Sequence, residues 1–330
     1  MARFNTGLTV LLLTATASLA VWTQGVFAQS SDNRHSSSFC CQYLLYPIGA
    51  QAVALGNALV ARAHADAMYV NPAALAHLRR PEFRVHSDRT DVDKTTTFGA
   101  MLTLGRAGVA GISYRLVDEG TIDALDEFNV PTGTMSLYDQ MVAASYATPL
   151  GSHLDVGVTY MFYQWRNDCT GYCGPFEFGG STSLVDVGLR VTPPWLPSLQ
   201  LGVAGLHLGL PLQVHNAAQS DRTPSVLRFG AVYEVLHHFQ ADSTTQLLAS
   251  LDIVRGIENA VEGSVGLGME LIMDDCLFLR AGYSTVSGKG SGGAVGVGMI
   301  WDRFEVSVGK SFSTNFDGSE AFQVSFAVGL

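Results

Sequence analysis

Hydrophobic and polar positions alternate with a period of two through most of the chain beyond residue 81. In FEVSVGKSF (304–312), Phe304, Val306 and Val308 share one face, and Glu305, Ser307 and Gly309 share the other. In AFQVSFAVGL (321–330), Phe322, Val324, Phe326, Val328 and Leu330 oppose Gln323, Ser325, Ala327 and Gly329. A strand points successive side chains to opposite faces, so each segment has one wholly apolar face. The other face is rich in Gly and Ser, where a water-soluble sandwich would carry Lys, Glu and Thr. This pattern predicts an all-β fold, an antiparallel transmembrane β-barrel with lipid outside and a crowded polar interior.

Alternation bounded by turn residues predicts about fourteen strands, near 82–88, 95–104, 108–117, 136–147, 152–165, 182–191, 199–208, 225–235, 244–254, 261–272, 276–286, 292–301, 303–312 and 320–330. The connections alternate in length. Gly105-Arg106-Ala107, Thr148-Pro149-Leu150-Gly151, Met273-Asp274-Asp275 and Asp302 are tight, whereas 118–135, 166–181, 209–224, 287–291 and 313–319 read as longer polar loops. Short periplasmic turns and long extracellular loops produce this alternation, and an even strand number leaves both chain ends on the periplasmic side. The last strand is expected to close the ring against 82–88.

The region before residue 81 lacks this rhythm. Arg3, the apolar stretch Leu8–Val21 and the small-residue ending Val26-Phe27-Ala28 read as a secretory signal peptide over 1–28. Ser30–Ser38 is polar, and 39–80 is Ala-rich, with Asn71 as an N-cap and Pro72 at the first helical position. Residues 29–80 are therefore expected to form a partly helical plug, inside the barrel 81–330 or against its periplasmic mouth. Export without a membrane helix points to the outer membrane of a Gram-negative-type cell, with membrane lipid as the first partner.

Composition narrows the function classes. Hydrophobic residues make up 47% and charged ones only 15% of the 330 residues, well below the roughly 25% charge of soluble domains. A net charge of -10 without a basic patch argues against nucleic acid. No G-x-S-x-G, H-E-x-x-H or phosphate-cradling loop occurs, so no enzyme, cofactor or metal is expected. The glycine cluster 288–298 sits in a turn and strand, not ahead of a helix, and His237-His238 lacks a carboxylate or cysteine at ligand spacing.

The alternation rule assigns lumen-facing charges: Arg115, Asp186, Arg190, Arg228, Asp252, Glu262, Glu270 and Arg280. Charges of both signs in a narrow lumen must pair, so they form either a substrate path or, the favoured reading, an internal salt-bridge lattice. Inward large apolar residues are few, Met161 and Phe278 being exceptions, which weighs against carriage of apolar molecules. Tyr146, Trp165, Tyr233, Tyr283 and Trp301 near strand ends suit interfacial girdles. Cys169 and Cys173 are a candidate disulfide pair in an outer loop. Cys276, at the periplasmic end, is expected to bridge to Cys40 or Cys41.

The segment IGAQAVALGNALVARAHADAMYVNPAALA (48–76) resembles the start of the PorV/PorQ family of FadL-like outer-membrane barrels. The likeness rests on Gly49-Ala50, Leu55-Gly56, Ala58, Asp66-Ala67 with Tyr69, and Asn71-Pro72-Ala73. TPSVLRFGAVYEV (223–235), VGLGMEL (265–271), LRAGYS (279–284) and GGAVGVGM (292–299) are also similar to that family, whose Asn-Pro-Ala-Gly pattern departs here at Ala74. The resemblance implies a plugged fourteen-stranded barrel with Asp66, Asn71, Pro72 and Ala73 in the plug motif. Its PorV-type members bind exported proteins of the type IX secretion machinery, and this is the function favoured from the sequence. FadL-type transport of hydrophobic small molecules such as long-chain fatty acids is the alternative, and a structural or porin-like barrel the second alternative.

Overall fold

The computed structural model describes residues 40–89, 93–173, 179–213, 220–238, 244–257, 261–286, 290–314 and 320–330. The expected signal peptide, Ser30–Ser38 and parts of the loops 166–181, 209–224, 287–291 and 313–319 lie outside the described residues. Sixteen strands occur among those described: β1 (Glu82–Arg89), β2 (Lys94–Thr103), β3 (Val109–Leu125), β4 (Pro131–Leu150), β5 (Leu154–Gly171), β6 (Gly180–Val191), β7 (Leu199–Gly209), β8 (Leu212–Gln213), β9 (Ser220–Asp221), β10 (Val226–Glu234), β11 (Thr245–Gly256), β12 (Ser264–Met273), β13 (Leu277–Val286), β14 (Gly290–Trp301), β15 (Phe304–Thr314) and β16 (Glu320–Gly329).

Two of these, β8 and β9, form a two-residue ribbon beside β6. The other fourteen pair antiparallel in a closed ring, β7 meeting β10 across the ribbon. The ring shuts where β1 meets β16, in register from Glu82 opposite Gly329 to Asp88 opposite Gln323. The Leu330 N–H donates to the Pro81 carbonyl at 2.8 Å, extending that seam by one bond. Closure leaves no unpaired edge, the condition a sheet must meet in hydrocarbon.

The two faces are those that alternation predicts. Phe98, Ile112, Leu189, Val203, Val297 and Phe326 point outward and are exposed, forming an apolar exterior. Phe83 stacks with Phe98 and Phe304 with Phe326, at ring-centroid distances of 6.4 and 6.0 Å. The tight turns use short polar residues in left-handed backbone, Asp274 and Asp275 at φ 51° and 50° and Asp302 at 56°, a conformation Asp tolerates better than most residues.

One expected loop is a strand. Residues 118–135 continue the β3–β4 hairpin, pairing Asp118 with Tyr138 and Thr121 with Ser136 up to Leu125 with Pro131. β5 follows them, pairing Gly171 with Gly133. These three strands rise beyond the others as a wall at the long-loop end.

Residues 40–80 run inside the barrel, which decides between the two expected placements. They comprise a 3-10 turn (Gln42–Leu45), the short helix α1 (Ala50–Ala54), and 3-10 helices Ala65–Tyr69 and Pro72–His77. Gly56, at φ 60°, stops α1 in the left-handed conformation that glycine adopts without strain. Ala52, Leu55, Leu59, Val60, Ala67 and Val70 pack on one another as a small core of the plug's own.

Candidate functional site

The plug is held by side chains that the alternation rule sends inward. At its start Gln323 takes the Gly49 N–H at 2.6 Å and gives its own Nε2–H to the Pro47 carbonyl at 2.8 Å. Ser325 Oγ accepts from the Ala50 N–H at 2.8 Å. In the middle, Asp252 Oδ2 accepts from the Leu59 and Val60 N–H groups, both at 3.0 Å, while Arg228 donates to the Asn57 carbonyl at 2.7 Å. Arg190 donates to the Ala61 carbonyl at 3.0 Å. These groups satisfy peptide units of an irregular segment that has no ladder of its own.

Small wall residues let the plug backbone come this close. A Cβ at Gly282 would stand 2.5 Å from the Leu55 carbonyl carbon, and one at Gly202 would stand 2.7 Å from that of Val60. The glycine-rich inward face is thus a socket for the plug backbone.

The plug-motif residues meet at two junctions. Asn71, fully buried, caps the last 3-10 helix by accepting the Ala73 N–H at 3.1 Å. Its Nδ2 donates to the Val60 carbonyl at 2.7 Å and the Leu189 carbonyl at 3.1 Å, joining two plug segments to β6. Pro72 occupies the first helical position, and Ala73 is buried beside it.

Asp66 anchors the other junction, 3.2 Å from Arg84 and 3.3 Å from His86 on β1. Burial alone would raise its carboxyl, but Arg84 and His86 outweigh burial and hold it well below the usual carboxylate range. Burial, reinforced by Arg84, pushes the neighbouring His64 imidazole well below its ordinary value, so this ring is neutral.

Seven of the eight predicted lumen charges are buried: Arg115, Asp186, Arg190, Arg228, Asp252, Glu270 and Arg280. They pair along the wall as well as to the plug. Arg280 meets Glu270 at 2.7 Å, Arg228 meets Asp252 at 3.3 Å, and Arg190 meets Asp155 at 2.5 Å. Arg62 of the plug also pairs with Glu270. Asp186 instead accepts the His207 N–H at 2.6 Å, where the β6–β7 register shifts.

Glu262 differs from the other seven in being exposed, in the connection before β12, which begins only at Ser264, and it lines a cavity between plug and wall. The same parity points Arg84, His86, Gln323 and Ser325 inward. Gln323 and Ser325 already stand on the polar face that alternation gives the last strand, whereas Arg84 and His86 escaped the sequence reading, although alternation carried the signal.

Two further expectations change, and the candidate disulfide pair is not one of them. Cys169 and Cys173 are joined, their Cα atoms 6.2 Å apart. Cys40 and Cys41, however, are bonded to each other, and Cys276 is free and exposed. Cys276 lies in the tight β12–β13 turn. The Cys40 N–H donates to the Arg222 carbonyl at 3.0 Å, and Cys41 packs against Tyr163 and Leu212 at the opposite, long-loop end. The plug thus starts near the loops and descends to the turns, so the expected bridge has no geometry. Trp165 also leaves the girdle: it shares the inward parity of Met161 and Tyr163 and packs on Cys41's cluster.

A cavity of about 160 Å³ remains between the plug and the wall. The plug lines it with Leu44, Leu45, Ile48, Val53, Met68 and Val70, and the wall adds Met141, Met161, Leu206, Val226 and Val254. Arg115, Asp186, His207, Arg228, Asp252 and Glu262 interrupt this lining, together with serines and a threonine of the wall. The expectation of a lumen poor in apolar lining fails because the plug supplies what the strands lack.

No family model and no curated protein matches the chain. Similar solved structures include the CymD monoaromatic hydrocarbon channel, with TM-score 0.57, 11% identity and coverage of 86% of this chain and 97% of that one. The Ralstonia pickettii toluene transporter TbuX gives TM-score 0.54 at 13% identity, over 85% and 96%. A Pseudomonas aeruginosa FadL homologue gives 0.53 at 10%, over 86% and 98%. At these identities the likeness is one of fold, and the fold is that of the FadL-like outer-membrane barrels. Nothing in these neighbours carries over the secretion role of PorV/PorQ.

Proposed function

We propose that the protein is an outer-membrane channel that carries small hydrophobic molecules past its lumenal plug. The cavity between plug and wall carries this reading, since its Leu, Ile, Val and Met side chains offer such a molecule apolar contact within the barrel. The similar hydrocarbon transporters support it. In this reading residues 1–28 are the export signal, 29–80 the plug and 81–330 the barrel. The buried wall charges hold the plug and are not the path itself, and no catalytic chemistry is involved.

Expression in a Gram-negative host lacking its own hydrophobic-compound transporters should accelerate uptake of toluene or of a fluorescent long-chain fatty acid. Leu45→Trp, which fills the cavity from its partly exposed plug side, should cut that uptake severalfold while leaving the barrel folded. Unaltered hydrophobic uptake, with faster entry of small polar solutes, would mark the protein as porin-like.

A further inference from the structure

A second cavity, of about 380 Å³, opens on the other side of the turn Gln42–Leu45, toward the long loops. Four rings line it: Tyr43 and Tyr46 from the plug, Tyr163 and Trp165 from β5. Three carboxylates accompany them, Glu119 on β3, Asp139 on β4 and Asp221 on β9. Among the described residues lining it there is no lysine, arginine or histidine. Arg115 sits on the inner side of the turn, lining the apolar cavity and donating to the Tyr43 carbonyl at 2.5 Å.

Each wall component selects in the same direction. Aromatic faces are electron-rich and attract cations that carry an apolar skin. Glu119 and Asp139 are hydrogen-bonded to each other and so share a proton, and that pair together with Asp221 supplies the negative charge that repels anions. A divalent metal fits poorly, because the described residues hold no group of three or more acidic, His or Cys side chains arranged to bind one, and rings offer no hard oxygen ligands. An alkylated ammonium group meets both demands at once. Tyr163 donates its hydroxyl to Asp139, so ring and carboxylate are already fixed to one another.

We propose that this outer vestibule is a binding site for an organic ammonium group. Tyr43, Tyr46, Tyr163 and Trp165 form its cage, and Glu119, Asp139 and Asp221 its counter-charge. Combined with the proposed function, on which only this step rests, the site narrows the cargo to amphiphiles with a cationic nitrogen at one end. Their apolar body would pass into the inner cavity once the turn Gln42–Leu45, which lines both cavities, moves aside.

The test is a binding titration on the detergent-purified protein from which segment 1–28, with Trp22, has been removed on export, and which carries W195F and W301F. Both tryptophans replaced are outward and exposed, so Trp165 becomes the reporter. Choline should change its fluorescence saturably. The neutral isostere 3,3-dimethyl-1-butanol and the anion hexanoate should bind at least about tenfold more weakly.

Asp221→Asn, at an exposed position, and Glu119→Gln should each weaken choline severalfold without altering heat-dependent gel mobility. Calcium should not displace choline. Equal binding of the neutral isostere, displacement by calcium, or unchanged choline affinity in both variants would overturn the site. The titration involves no transport, so its failure leaves the channel reading standing, and absent toluene uptake leaves the vestibule standing.

Discussion

Asn71 shows how much one side chain holds in this lumen. Its carbonyl caps a helix, and its amide reaches one carbonyl of the plug and one of β6. Asn71→Asp keeps the cap, removes both donors and sets a buried carboxyl group against two carbonyl oxygens, at a local cost of about 3–5 kcal/mol. Amide exchange across 58–76 should accelerate while the barrel strands keep their protection; equal acceleration throughout would contradict a local latch.

Asp66 and His64 set the pH response of the plug. Asp66 has its carboxyl lowered in the folded state, so its contribution is complete above the ordinary carboxylate value and is lost as pH falls through the folded one. His64 is also lowered, so a released plug binds its proton more readily, and stability falls as pH drops below about 6.5. Single-channel conductance should therefore stay low from pH 8 to about 6.5, rise modestly below that, and rise again below about 4. His64→Gln should abolish the first rise, and a profile unaffected by it would exclude His64 as the cause.

At the scale of elements, alternation was legible wherever one strand face meets lipid and the other the lumen. The β3–β4 extension was not, because VDEGTIDALDEFNVPTGTMS (117–136) has water on both faces and no burial contrast to write a period of two. Continuing the inward parity of Met161 would have placed Trp165 in the lumen. The plug's path was illegible for another reason: an irregular segment has no period, and its partners lie up to 276 residues away, as Pro47 does from Gln323. The hairpin makes its own prediction. Replacing 121–134 with a short Gly-Ser turn removes no lipid-facing strand, so heat-dependent gel mobility should be unchanged. Loss of the folded band would show that the wall helps the barrel close.

For the whole molecule, the question is whether barrel and plug depend on each other equally. Buried charges that lose their partners usually destabilise a protein by several kcal/mol, so a barrel neutralised by its plug should collapse without it. This wall largely neutralises itself: Arg280 has Glu270, Arg228 has Asp252, and Arg190 has Asp155. Arg84, on losing Asp66, keeps Glu82 at 2.5 Å and Glu305 at 2.8 Å. Water admitted to an emptied lumen would solvate what remains. The plug has no such independence, since its N–H groups at Gly49, Ala50, Leu59 and Val60 all end on wall side chains. Deleting 40–80 should therefore yield a barrel that still runs faster unboiled than boiled and conducts small ions far better than the intact protein in planar bilayers. A folded barrel with unchanged conductance would mean that the plug is not what closes the lumen, whereas failure to fold would make it part of the barrel's own core.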